Sequence, residues 1–372
     1  MAKLKTADED SKQGLKPSSL ERFPEVPRLL ERLGLGDFVQ GEINAYPGRN
    51  ENWSGPTTGG EDVFVKCLPP TGGAERMSRM LAFEETVAGA DLAHIRSPRC
   101  LGWDETDRVI VFATVHHASS GTELAVDKAF DTGLMQRAGQ VLAELHELPE
   151  ETLSDRLDTS QPFLPPSRIG PIPLDRFSMC SGGELQVWSL LQRDRELKEA
   201  LQGLLERSQQ SRHTPTHCDL RLDQFLFDGT TFYLNDWEEF RRSDPARDLG
   251  GFVGDWLFRV VLGIPEDNED GQELNHDLIV QRGAAALDEM RPEVAAFWES
   301  YTEIRTEVEA DLAERVAAFA GWHLIDRMFA GARESMKLSA VQKAAAGIGR
   351  SLLMNPSGHC ASLGITRTGG VS

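Results

Sequence analysis

Cysteine is scarce, and its spacing carries no pairing signal. The chain holds five, at Cys67, Cys100, Cys180, Cys218 and Cys360, and no C-x-x-C occurs. That excludes a zinc ribbon and a disulfide-stapled fold, and it points to free thiols in a reducing cytoplasm. Long apolar runs are missing too. The most apolar stretch, Trp256 to Ile264, is short and broken by Arg259, whereas a spanning helix needs about 18 apolar residues. Met1 to Gly14 alternates Lys with Asp and Glu and lacks the apolar core of a signal peptide. Basic charge is in deficit: 39 Lys and Arg stand against 59 Asp and Glu, a net charge of −20. Such a field repels nucleic acid and anionic membrane; it suits a cationic or neutral partner, or simply solubility. Internal repeats are absent.

What is present suits a globular chain of two to three folding units. Hydrophobic residues make up 40% of 372, enough for a sizeable core. Glu25 to Leu35 reads as a short helix with Leu29, Leu30 and Leu33 on one face. Val39 to Ala45, Glu61 to Lys66 and Arg108 to Val115 read as strands. Ala74 to Ala90 and Phe130 to Leu148 have helical spacing. Prolines 149, 162, 165, 166, 171 and 173 break any long helix and mark 149–182 as an excursion or lid. Helix is expected from Glu184 to Gln210 and over most of Asp248 to Arg350. Between them, Gln224 to Phe227 and Phe232 to Leu234 flank Asp228-Gly229, a hairpin signal.

Polar residues around that hairpin carry the chemistry. His217-Cys218-Asp219 and Gln224 precede it, and Asp236-Trp237-Glu238 follows. Folding the hairpin brings Asp219 and Asp236 to one end. Two carboxylates plus an amide oxygen form a hard, all-oxygen ligand set that suits Mg²⁺. One Asp can accept a hydroxyl proton while the other holds metal, the arrangement of phosphoryl transfer. Asp244-Pro245-Ala246-Arg247-Asp248-Leu249 follows, and Gly121-Thr122-Glu123-Leu124 and Leu142-Ala143-Glu144-Leu145-His146 lie upstream.

Together these strings resemble the aminoglycoside phosphotransferase and choline kinase family over residues 38–330. The resemblance implies an α+β, bilobal, protein-kinase-like fold with a β-rich N-lobe and a helical C-lobe. It divides the chain into a flexible N-terminus (1–20), a nucleotide-binding N-lobe (21–115), a C-lobe with the catalytic loop and the excursion 149–182 (116–354), and a tail (355–372). ATP and Mg²⁺ are the implied cofactors. Lys66 would pair with the α/β-phosphates and Glu84, with Glu85 as fallback, would hold that lysine. Gly48 and Asn50 belong to the loop, 48–53, that would cover the phosphates. Thr114, Val115 and His116 would form the hinge beside adenine. Asp219 would be the catalytic base, with Gln224 and Asp236 as Mg²⁺ ligands. His217, His146, Asp244 and Asp248 read as braces of the fold.

Two positions depart from the family pattern. Cys218 replaces the usual Gly, which matters if the backbone there needs positive φ, and Gln224 replaces the usual Asn. A protein kinase is excluded, because His217-Cys218-Asp219 is not His-Arg-Asp and no Ala-Pro-Glu follows Asp236. A narrower resemblance accounts for Gln224. The strings 48–55, 219–226 and 236–240 are similar to the kinase subunit of class V lanthipeptide synthetases, where Gln is normal at this position. That likeness implies phosphorylation of Ser or Thr in a ribosomal precursor peptide, leader and core, for later elimination by a separate lyase, as a complex. A long acidic groove on the helical lobe would then hold the extended peptide. The alternatives are a small-molecule, aminoglycoside-type O-phosphotransferase and a catalytically silent kinase-like binding partner.

Overall fold

The computed structural model describes residues 19–46, 48–162, 170–263, 276–333 and 335–366. Most of the expected flexible N-terminus, part of the excursion and the last six residues of the expected tail lie outside them.

Helix α1 (Glu25–Arg32) buries Val26, Leu29 and Leu30 against Trp53, Val63, Val65, Val109 and Val111. These residues belong to a five-stranded antiparallel sheet in the order β1-β2-β3-β5-β4. Its strands are β1 (Asn44–Tyr46), β2 (Glu51–Pro56), β3 (Asp62–Cys67), β4 (Cys100–Asp104) and β5 (Val109–Ala113). The expected strand 39–45 is reduced to its end plus an isolated Phe38–Thr57 bridge. In its place β2 is a full strand, where the sequence suggested only a loop. Its polar side chains hide the pattern, but Trp53 faces Val65 and is 1% exposed. Helix α2 (Gly73–Ala88) lies between the sheet and the helical lobe, where Phe83 stacks on Trp237 with ring centroids 3.6 Å apart.

The C-lobe begins with a two-residue strand, β6 (Ser119–Ser120), and helix α3 (Gly121–Val126), closed by a capping box between Ser120 and Glu123. Helix α4 (Thr132–His146) follows, N-capped by Asp131. The expected helix 184–210 is two helices, α5 (Gly182–Arg193) and α6 (Arg195–Gln210). Asp194 breaks them by turning its carboxylate onto the Leu197 N–H at 3.0 Å, as a helix cap does. The hairpin is as expected, β8 (Phe225–Phe227) and β9 (Phe232–Leu234), joined by β6 into a three-stranded sheet. Two further strands, β7 (Thr214–Thr216) and β10 (Arg241–Ser243), pair antiparallel. Helices α7 (Ala246–Leu262), α8 (His276–Ile304), α9 (Leu312–Ala332) and α10 (Ala340–Met354) complete the lobe. The expected tail is packed as far as Thr366. Cys360, Leu363 and Ile365 are buried, and Trp298 Nε1 donates to the Thr366 carbonyl. All five cysteines are free. Among the described residues no helix is long and apolar enough to cross a membrane.

Candidate active site

The β7–β10 pair sets the site. It holds the start of the 217–221 loop beside the strand that follows Asp236, so both arms of the motif leave one small sheet. Asp248, in the first turn of α7, then pins the loop. Its two oxygens accept from the backbone N–H groups of His217 (2.7 Å) and Cys218 (2.8 Å). His217 Nε2 donates to the Asn235 carbonyl at 2.9 Å, tying the loop to the segment before Asp236. Asp255 accepts from the Leu222 N–H at 3.0 Å, and His323 lies on its other oxygen at 3.2 Å. Burial alone would raise the Asp255 pKa, but these partners outweigh it and hold the carboxyl well below the usual range. His146, Asp244 and Asp248 are all buried and bonded, as braces should be.

On this pinned loop Asp219 keeps a 29% exposed side chain. Arg49 lies 3.6 Å and Arg221 3.7 Å from its carboxylate. Cys218, beside it, has φ +68°, the left-handed region in which a Cβ is strained. The family's usual glycine therefore answers a real backbone demand at this position. Burial also pushes the Cys218 thiol up to about 12, so it is no nucleophile at neutral pH.

Lys66, on β3, is 8% exposed and forms an ion pair with Asp236, with Glu238 3.9 Å away. Burial alone would lower its pKa. The charges of Asp236 and Glu238 outweigh burial and hold it above the ordinary lysine value. Asp236 is the mirror case: desolvation favours its neutral form, and Lys66 overrides that and holds it ionised. It sits at φ +66°, turned back toward the sheet by the bend before the 3₁₀ turn Trp237–Glu239. Asn50 Nδ2 donates to Glu238 Oε2 at 2.7 Å, and Arg49 lies 3.9 Å from Glu238 Oε1. The 48–53 loop is thus latched onto the 236–238 segment.

Glu84 is not the partner of Lys66, and neither is Glu85. Glu85 pairs with Arg156 at 2.9 Å. Glu84 has no ion pair among the described residues, and burial raises its carboxyl to about 7. The phase of α2 decides this. It presents Arg76 to Asn50 and Arg79 to Asp158 and Glu239, and leaves Glu84 facing Cys100 on β4. Glu238 takes the place expected of Glu84. It stands in a motif the sequence displays, yet nothing in the sequence marks it as a lysine partner.

Gly48 is exposed in the loop before β2. Thr114 follows β5, its N–H bonded to the Asp62 carbonyl and its hydroxyl buried without a hydrogen-bond partner among the described residues. Val115 comes next, then His116, which lies 3.4 Å from the Asp62 carboxylate. Gln224 is 4% exposed. Its backbone carbonyl accepts from the Asn235 N–H, while its side-chain amide makes no hydrogen bond among the described residues. No cluster of three His, Cys, Asp or Glu side chains forms a metal cage there. One ionised carboxylate at Asp236 and a spare amide at Gln224 fit Mg²⁺, which keeps waters and is completed by substrate phosphates.

Beyond Asp219 a cleft of about 560 Å³ opens between the 218–221 loop, α7 and α9. Arginine dominates its charged lining: Arg49, Arg221, Arg247, Arg327 and Arg333, against Asp219, Glu239 and Asp326. The lining beside the catalytic loop is therefore more basic than acidic. The chain's overall negative charge does not extend into the cleft.

The family model described as Phosphotransferase enzyme family matches residues 48–297. No curated protein matches the chain. Among solved structures, an amicoumacin kinase in complex with AMP-PNP, Ca²⁺ and Ami is similar at TM-score 0.51 and 12% identity, over 91% of this chain and 95% of that one. A macrolide 2'-phosphotransferase type I is similar at TM-score 0.51 and 12% identity, over 87% and 100%. An ethanolamine kinase from Plasmodium vivax reaches 0.50 at 10% identity, over 95% and 94%. At these identities the likeness shows the fold, a kinase-like one with two lobes.

Proposed function

The chain belongs to the phosphotransferase enzyme family, and from that premise we propose that it transfers the γ-phosphoryl group of ATP to Ser or Thr hydroxyls of a ribosomal precursor peptide. The observation that carries this reading is a convergence in space. The three strings that resemble class V lanthipeptide synthetase kinases meet at one site through the Arg49–Asp219, Arg49–Glu238 and Asn50–Glu238 contacts. Residues far apart in the chain and shared with that group therefore form one constellation.

Each residue then has a task. Asp219 orients the acceptor hydroxyl and takes its proton as the new O–P bond forms and the bond to ADP breaks. Lys66 leaves Asp236 for the α/β-phosphates. Asp236 and Gln224 would hold Mg²⁺, which when bound supplies charge neutralisation on the phosphates. Asn50 and Arg49 close the loop over them, and Thr114, Val115 and His116 border adenine. Asp248 and His217 keep Asp219 in place. Phosphate turns a poor leaving hydroxide into a good leaving group, so a partner lyase completes dehydration.

A second reading, a small-molecule hydroxyl as acceptor, is favoured by the cleft itself, whose volume is that of a drug-sized ligand site. Mass spectrometry separates the two. Precursor peptide incubated with the protein, ATP and Mg²⁺ should gain phosphate, and added lyase should convert it to dehydrated product. Phosphorylation of small hydroxyl compounds, with no peptide modified in the presence of the lyase, overturns the peptide reading.

A further inference from the structure

Apart from Arg49, the arginines of the cleft have no task in the transfer chemistry. Arg49 and Arg221 flank Asp219, and Arg327 pairs with Asp326. Arg247 is different. It forms no ion pair among the described residues, and its Nε and Nη1 are buried with no hydrogen bond. Its guanidinium lies over the Phe319 ring, 5.4 Å from the centroid. The acids nearest in sequence are already committed: Asp244 to Arg315 at 3.1 Å, and Asp248 to two backbone amides and His146. Glu239, one of the three acids that line the cleft, is held by Arg79 and Arg241. Arg333, at the C-terminal end of α9 and also in the cleft lining, likewise has no ion pair among the described residues.

A guanidinium that lines a cleft and has no ion pair among the described residues carries a positive charge that an oxyanion entering the cleft would neutralise. The guanidinium nitrogen of Arg247 that is not among those buried atoms, Nη2, is the one an oxyanion in the cleft would meet. We infer that the acceptor carries an oxyanion next to the reacting hydroxyl, and that Arg247, supported by Arg333, binds it. This inference rests on the peptide reading and refines it. The acceptor segment has an acidic side chain, or a phosphoserine already installed, beside the Ser or Thr presented to Asp219. A polycationic acceptor would be repelled by the same wall.

Four peptides identical except for Glu, phosphoserine, Gln or Lys beside one Ser test this with ATP and Mg²⁺. The Glu and phosphoserine peptides should exceed the Gln peptide in kcat/KM by about ten-fold or more, with Lys slowest. The two oxyanion arms, compared with each other, show which source is preferred. Arg247→Gln should abolish the preference and Arg247→Lys should restore part of it. Arg333→Gln, at an exposed position, should reduce it if Arg247→Gln does not fold. Equal turnover of the four peptides, or a preference unchanged in both Gln variants, overturns the inference while leaving phosphoryl transfer intact. If no peptide is phosphorylated, the peptide reading fails, and fluorescence anisotropy decides the inference. Tighter binding of the Glu and phosphoserine peptides, lost in the Gln variants, supports it, and equal binding overturns it.

Discussion

Replacing Lys66 by Met tests the ion-pair arrangement most directly. The substitution keeps an unbranched chain of similar length, so packing on β3 changes little while the charge disappears. Lys66 is 8% exposed, and the side chains of its partners Glu238 and Asp236 are 4% and 22% exposed. Removing one member of a buried pair costs about 3–5 kcal/mol. Because Asp236 keeps some contact with water, we expect the lower end, roughly 3 kcal/mol. The loss should depend on pH with a definite sign. In the wild type Asp236 is held below its unfolded value, so its contribution is present above the usual carboxylate pKa and fades as pH falls through the lowered one. Without Lys66, burial raises Asp236 instead, so the variant regains stability on acidification. Urea unfolding at pH 8 and pH 5 should show a gap between the two proteins that narrows at pH 5. Titration with a fluorescent ATP analogue should show affinity weakened by about 10- to 150-fold, the loss of one charge-assisted contact of roughly 1.5–3 kcal/mol. An unchanged urea midpoint at both pH values, with affinity within two-fold of wild type, would refute the assignment of Lys66.

Two further substitutions address the catalytic loop and the helix phase. Asp219→Asn should leave ATP affinity nearly intact in calorimetry while phosphate transfer falls by roughly 10²–10⁴-fold; lost ATP affinity would make Asp219 a metal or structural residue. Glu84 has a folded pKa of about 7 against 4.5 for the free side chain, so its proton stabilises the fold below the free value and that contribution is lost as pH rises through about 7. Glu84→Gln should therefore stabilise the protein at pH 8 by roughly 3 kcal/mol and flatten its stability between pH 5 and 8. Equal pH slopes in wild type and variant would show that Glu84 is solvated.

Local physics made much of this molecule readable from its residues. The Asp228-Gly229 turn specifies the hairpin between Asp219 and Asp236, and apolar spacing gives α1, α2 and α4. The short motif His217-Cys218-Asp219 with Asp244 to Leu249 identifies the loop and its braces, because their hydrogen bonds span only about thirty residues. Tertiary structure decided the rest. Strand β2 was hidden because its polar side chains gain pairing from β1 and β3, a property of neighbours rather than of its own pattern. The helix break at Asp194 depended on which group its carboxylate would cap, and Arg350 also holds it at 3.1 Å from the far end of the chain. Helix phase within one residue turned Glu84 of α2 toward Cys100, and the fold paired Lys66 of β3 with Asp236, 170 residues away. Net charge pointed to a cationic or neutral partner, or simply to solubility. The cleft is basic because Arg49, Arg221, Arg247, Arg327 and Arg333 arrive from separate elements, and a sum over the sequence carries no information about which charges become neighbours.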